Sequence, residues 1–317
     1  MRPVVVSPGA SAGGRTSAAA VASLVGATLF WAGNYVVGAA AVAALNPAAL
    51  VLLRWLIALP PLVVLAQVLE RPDWGAALRS WPRLLAPAAV GLVGYNLLLY
   101  AALEHPSPVD ASLVNAFNPA LISLAAIVVL QERLSALAWA GTGLALAGVL
   151  VVLSRGDLTS LLQHGLGAGE LLMVGAICAW TGYTLLGRTS TAVPPVTGTA
   201  LQAALAVLLL APLTVATGQP TWPTTSQAGL ALIYIGVFPS VLSYLLWNRA
   251  LRQIPPGRAG VFLNLITVFT VVIALLRGQP PTPAQGLGGL LVLAGVVLTQ
   301  DWALRANRNA RRKASKA

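Results

Sequence analysis

Apolar residues run through this chain in blocks of about twenty, separated by short polar or charged connectors, a pattern that predicts bilayer-spanning helices. Ten are predicted. The first five are Ser17–Ala39, Pro47–Leu69 with a kink at Pro60-Pro61, Leu84–Leu103, Val109–Leu130 interrupted by Asn118-Pro119, and Ala136–Leu153. The second five are Leu166–Leu186, Val196–Ala216, Ser226–Trp247 interrupted by Pro239, Gly260–Leu276 and Gly286–Leu304. Charged Glu70–Arg83 reads as a loop, residues 1–16 as a disordered cytoplasmic tail and residues 305–317 as a basic cytoplasmic tail.

The pattern occurs twice. Val25–Gly38 (VGATLFWAGNYVVG) returns as Val174–Gly187 (VGAICAWTGYTLLG), with six of fourteen positions identical and Trp31 set 149 residues before Trp180. Asn115 and Asn264 keep that offset, Pro47 and Arg54 meet Pro195 and Gln202 at 148, and Ala147-Gly148-Val149 meets Ala294-Gly295-Val296 at 147. The copies occupy residues 17–155 and 165–304. Five helices is an odd number, so the copies enter the membrane in opposite directions. The fold class is an all-α polytopic membrane protein with ten transmembrane helices as two inverted five-helix repeats. The second copy also argues against reading the first helix as a cleaved signal peptide.

Composition supports the class: 57% of residues are hydrophobic and 9% charged, against about 25% charged in soluble domains. The net charge of +11 does not indicate nucleic acid, because six basic residues lie in the last thirteen. With both tails in the cytoplasm, sixteen Lys and Arg fall inside, two outside, and Arg54 within the second helix. This positive-inside bias fits a multi-pass membrane protein with N- and C-termini in the cytoplasm. The lone Cys178 excludes an intrachain disulfide and a multi-cysteine metal site, and is read as packing. No metalloprotease HExxH, phosphate-binding loop or Cys/His cluster is present, and His105 and His164 fall in outer loops. The reading is therefore not an enzyme, with no cofactor and no metal.

Trp31-Ala-Gly-Asn34 and Trp180-Thr-Gly-Tyr183, Pro47 followed by Arg54, Asn118-Pro119, and Glu132-Arg133-Leu134 ahead of Gly141 stand in a fixed order. In that order and spacing the chain resembles the drug/metabolite transporter (DMT) superfamily, EamA family, over about Ala18 to Ala303. Within it the chain is most similar to the YddG-type exporters of aromatic and other amino acids. The second copy departs from the pattern, with Gly278-Gln279-Pro280-Pro281 where the first has Gln131-Glu132-Arg133. The resemblance implies a secondary transporter of the bacterial inner membrane, with a small-molecule solute and the lipid bilayer as partners and a monomer or weak homodimer as its state. Other readings are export of sugars, purines or drugs, a lipid-type flippase, and a non-transporting scaffold.

Polar side chains are costly in lipid, so those within the helices are read as facing the bundle interior. The substrate-binding candidates are Trp31, Asn34, Tyr95, Asn96, Tyr100, Asn115, Trp180, Tyr183, Ser240, Tyr244, Asn248 and Asn264. Asn96 and Tyr100 share one helix face, and Ser240, Tyr244 and Asn248 share another, so a stripe from each repeat is expected to line one cavity. The bland alternatives are interhelical glue for the asparagines and interfacial anchoring for Tyr100 and Trp247. Gating or structural roles are expected for Arg54, Asn118, Pro119 and Pro239. Arg54 either binds a carboxylate or phosphate, locks a gate through backbone carbonyls, or snorkels outward. Gln202 in its place in the second copy favours the gate. Gly141, Gly143, Ala145, Ala147, Gly148, Gly288, Gly289 and Gly295 are expected to serve close helix packing. Glu132-Arg133 is read as a loop ion pair. None of the eight acidic residues falls at the bilayer centre, which predicts alternating access without an acidic proton relay.

Overall fold

A computed structural model describes residues 18–105, 108–130, 136–159, 166–187, 193–217, 222–251, 253 and 262–314. The expected N-terminal tail, Glu132-Arg133, His164 and the side chain of Asn248 lie outside the described residues. Every regular element among the described residues is a helix. In order these are α1 (Ala18–Val42), α2 (Pro47–Leu69), α3 (Trp74–Arg79), α4 (Trp81–Ala102), α5 (Pro108–Asn115), α6 (Asn118–Leu130) and α7 (Ala136–Leu153). The second half contributes α8 (Ala168–Gly187), α9 (Pro195–Thr217), α10, α11 (Leu265–Leu276) and α12 (Pro283–Ala314). α10 is continuous through Ser226–Val237, Phe238–Leu242 and Ser243–Leu251.

Six of these helices, α1, α2, α4, α8, α9 and α10, are long and apolar enough to cross a membrane. They are the first three predicted helices of each repeat, and the protein is a multi-pass membrane protein. The fourth predicted helix of each repeat is broken. Ala116 and Phe117 form a turn between α5 and α6, and α11 starts only after a turn at Leu263-Asn264. Pro119 sits at the second position of α6, where its missing N–H costs least.

Helix starts follow local chemistry. Asn46 caps α2 by accepting from Ala49 N at 2.8 Å, with Pro47 as the first helical residue. Thr282 and Gln285 form a reciprocal capping box at α12: Thr282 N donates to Gln285 Oε1 (2.8 Å) and Gln285 N to Thr282 Oγ1 (3.2 Å). Gly156 and Gly278, with φ of +83° and +73°, end α7 and α11 in the left-handed region that favours glycine.

The stretch Glu70–Arg83 is not simply a loop. Asp73 caps the short α3, and α4 begins already at Trp81. α12 runs past Leu304 to Ala314, so much of the basic tail is helical. α2 stays helical through Pro60 and Pro61. Cys178 is exposed on α8 rather than packed in the core.

The repeats interlock by exchange. α1 packs on α10 and α11 of the other half, while its counterpart α8 packs on α4 and the α5–α6 pair. α2 runs along α9, and α7 along α12, so each of these helices meets its own counterpart. Glycine sets the α7–α12 distance: a Cβ on Gly148 would come within 2.6 Å of Gly288 O, and one on Gly295 would strike Gly141 O and Ala145 N. Gly143 and Ala147 do not share this role. Both are exposed, and a Cβ at Gly143 would meet nothing within 4 Å.

Glu70, just past the end of α2, reaches across to the N-terminus of α9. Its carboxylate accepts from Val196 N (2.9 Å), Thr197 N (2.8 Å) and Thr197 Oγ1 (2.7 Å). It thus caps the counterpart helix and lies at the positive end of its dipole. Glu70→Ala is expected to cost about 1 kcal/mol, the usual worth of an N-cap. Thermal unfolding in detergent checks this, and an unchanged midpoint would show the contact to be neutral.

Candidate functional site

Arg54 sits two turns into α2, where the bundle surrounds it on all sides and leaves it only 4% exposed. It does not snorkel, and its hydrogen bonds go to side chains rather than backbone carbonyls. Nε donates to Ser240 Oγ at 2.6 Å, and Nη1 donates to Asn96 Oδ1 at 2.6 Å and to Tyr100 OH at 2.9 Å. Tyr100 OH donates onward to Asn34 Oδ1 at 2.8 Å. One guanidinium thereby ties α1, α2 and α4 of the first half to α10 of the second. Among the described residues no carboxylate pairs with it and its Nη2 donates no hydrogen bond.

Both α4 and α10 carry a π segment beside this hub, Ala88–Tyr95 and Phe238–Leu242. A π turn holds more residues than an α turn, so side chains beyond it rotate out of the 3.6-residue phase. The stripes expected from four-residue spacing shift accordingly. On α4, Tyr95 and Asn96 face the cavity, while Tyr100 lies fully buried behind it. On α10, Tyr244 faces it, while Ser240 is fully buried between Arg54 and Ile235 O. The π segments loosen backbone carbonyls, and neighbouring side chains take them up. Trp31 Nε1 donates to Pro239 O (3.1 Å), and Trp55 Nε1 and Asn96 Nδ2 donate to Leu92 O. Pro239 therefore offers no open carbonyl to a ligand.

The cavity lies between the two halves and has about 680 Å³ of atom-free space, including the part open to solvent. Its aromatic flanks obey the repeat. Trp31 meets Tyr244 with ring centres 5.9 Å apart, and Trp180 meets Tyr95 at 4.9 Å. Tyr95 and Tyr244 are themselves 149 residues apart (244 − 95), so each pair joins a Trp of one repeat to the equivalent Tyr of the other. That offset was visible in the sequence and marks the flanks directly. Trp247 packs on Trp31 at 5.6 Å and Tyr183 on Trp180 at 5.3 Å, neither lining the cavity. Tyr183 instead presses on Gly91, where any Cβ would collide with its ring. Tyr35 joins the wall, its hydroxyl 3.3 Å from that of Tyr95.

The polar groups do not obey the repeat. At the equivalents of Arg54, Asn96 and Asn34 stand Gln202, Leu245 and Tyr183, so the hub has no copy. The two helix breaks also differ. Asn118 Nδ2 donates to Asn115 Oδ1 at 2.8 Å, which leaves Asn118 Oδ1 buried without a partner. In the second half Thr267 replaces Asn118 and turns to Ser112 O (2.8 Å) instead. Asn264, the equivalent of Asn115, is thus 7% exposed with neither amide atom bonded. Asn115, Asn118, Pro119 and Asn264 all line the cavity, together with Ala116, Leu263 and Ile266. These last three are apolar residues at the breaks, where a search for buried polar groups gives no signal. None of the acidic residues lines it among the described residues.

Comparison with known proteins follows the same two halves. The EamA-like transporter family matches residues 18–154 and again residues 167–300. A probable terminal-alkyne amino-acid exporter of Streptantibioticus cattleyicolor is 26% identical over 73% of this chain and 77% of its own. The aromatic amino acid exporter YddG of Ancylobacter novellus is 27% identical over 66% and 72%, and the uncharacterized transporter YyaM of Bacillus subtilis 28% over 66% and 69%. A solved crystal structure superposes with a TM-score of 0.64 at 22% identity, covering 88% of this chain and 96% of its own, which speaks to the fold. These relatives are named as transporters, not enzymes. Two matched repeats spanning nearly all of an all-helical bundle establish that the chain belongs to the EamA-like transporter family.

Proposed function

We propose that this protein is an inner-membrane secondary carrier that exports amino acids with aromatic or neutral side chains, or closely related metabolites, by alternating access. In this reading ten helices cross the bilayer as two inverted repeats with both termini cytoplasmic, and the cavity between the halves is the solute site. The observation that carries it is the lining: two Trp–Tyr pairs, buried asparagine amides and one guanidinium, with no acidic side chain among the described residues. Aromatic walls reward burial of apolar side-chain area at about 25 cal/mol per Å². Amides and a guanidinium can receive a solute's charged ends. The exporter names of two relatives agree with this chemistry.

With no acidic side chain lining the cavity among the described residues, the carrier is read as running down the solute's own gradient. Purified protein in liposomes preloaded with unlabelled L-phenylalanine is expected to show counterflow of labelled L-phenylalanine with no imposed ion gradient. A panel of amino acids, sugars and purines ranks the solutes. Accumulation above equilibrium driven by a pH gradient alone would contradict uncoupled export, and exchange of sugars without amino acids would contradict the substrate class.

A further inference from the structure

The two-fold relation of the aromatic flanks would by itself accept a solute in either of two equivalent poses. The polar groups remove that degeneracy. Arg54 lines the cavity as a buried cation whose three hydrogen bonds all go to neutral acceptors, and none of them uses Nη2, which has no partner among the described residues. A desolvated charge without a counter-charge is costly, and a carboxylate entering the cavity offsets that cost while matching the guanidinium fork. At the helix breaks the chemistry is the reverse. Asn118 Nδ2 already bonds Asn115, so the atom left without a partner is the buried oxygen Oδ1, which calls for a donor. Asn264 adds a second buried amide whose oxygen and nitrogen are both without a partner, the oxygen because Thr267 bonds Ser112 O rather than Asn264.

Building on the carrier reading above, we infer that the solute binds in one orientation, its carboxylate on Arg54 Nη2 and its ammonium on the side-chain oxygens of Asn118 and Asn264. The apolar side chain is left to the Trp–Tyr flanks. The cavity thereby selects α-amino acids over amines or acids of the same shape, because each missing group leaves a buried polar partner unpaired.

The test measures binding to the purified full-length protein by calorimetry, using L-phenylalanine, 2-phenylethylamine, which lacks the carboxylate, and 3-phenylpropionate, which lacks the ammonium. Phenylalanine is expected to bind at least tenfold more tightly than either analogue. Arg54 also ties helices together, so the deciding variant is Asn264→Asp, which keeps the shape and adds a negative charge at the ammonium end. It is expected to tighten 2-phenylethylamine and weaken 3-phenylpropionate, each at least tenfold. Thr267→Asn, which supplies Asn264 with the partner that Asn115 has, is expected to weaken phenylalanine and 2-phenylethylamine while leaving 3-phenylpropionate alone. If phenylalanine binds but Asn264→Asp leaves the order of the three compounds unchanged, the assigned orientation is wrong. Equal binding of phenylalanine and 2-phenylethylamine removes the carboxylate site at Arg54. If neither phenylalanine nor any amino acid in the counterflow panel binds, the carrier reading itself fails.

Discussion

Arg54→Met is expected to abolish counterflow while leaving a protein that still folds. The two effects separate because opposing terms act on stability. Removing the guanidinium deletes three hydrogen bonds to a charged donor, each worth about 1.5–3 kcal/mol. It also removes a buried charge that has no carboxylate partner, and that relief offsets much of the loss. Ser240 keeps its bond to Ile235 O and Tyr100 keeps its bond to Asn34. Asn96 Oδ1 alone is left without a partner, so the net cost is set near 1–3 kcal/mol, the penalty for one unsatisfied buried group. No such offset protects transport, because the hub is where α1, α2, α4 and α10 meet the cavity. Liposome counterflow and a thermal midpoint measured on the same preparation check both halves of the prediction. Robust transport by a stable Arg54→Met protein would strip the hub of any functional role.

Gly148→Leu is expected to have the larger effect on stability. Overpacking usually costs about 1–3 kcal/mol because side chains shift to make room. Here the obstructing atoms include Gly288 O and Val292 N, and backbone cannot turn aside as a rotamer can. The seam must open, so the loss is expected to exceed that range and appear as aggregation on size-exclusion chromatography in detergent. Gly143→Leu, one turn away with nothing near it, is the control and is expected to behave as wild type.

The sequence carried the repeat, the six long helices and most of the cavity wall, because those depend on apolar length and on residue identity at a fixed offset. Trp31, Asn34, Tyr95, Asn96, Asn115, Trp180, Tyr244 and Asn264 were each expected at a solute site, and the structure places them around one cavity. Tyr100, Tyr183 and Ser240 were expected there too, and they do not line the cavity. For Tyr100 and Ser240 the reason is geometric: helical spacing assumes 3.6 residues per turn, and the π segments in α4 and α10 break that assumption, whereas Tyr183 on α8 packs its ring against Gly91. The partners of Arg54 were likewise hidden. Asn96 and Tyr100 lie 42 and 46 residues away and Ser240 lies 186 away, distances that only the packed bundle closes. Glu70 looked like a loop charge because its partner helix begins 125 residues later (195 − 70), at Pro195.

The exchange of helices between the halves bears on how the chain is made. Synthesis delivers α1 long before α10 and α11, the helices it packs against, and delivers α7 before α12 exists. Until the last helix emerges, the glycine face of α7 has no partner helix, and Arg54, which meets Asn96 and Tyr100 on α4 early, still lacks Ser240 of α10. The first half must therefore be held in the membrane by the insertion machinery or by lipid, and a ribosome that stalls after α9 leaves a product with no native state. Premature termination anywhere before α12 is then a loss of the whole carrier, and separately translated halves regain it only where both are present in the same bilayer.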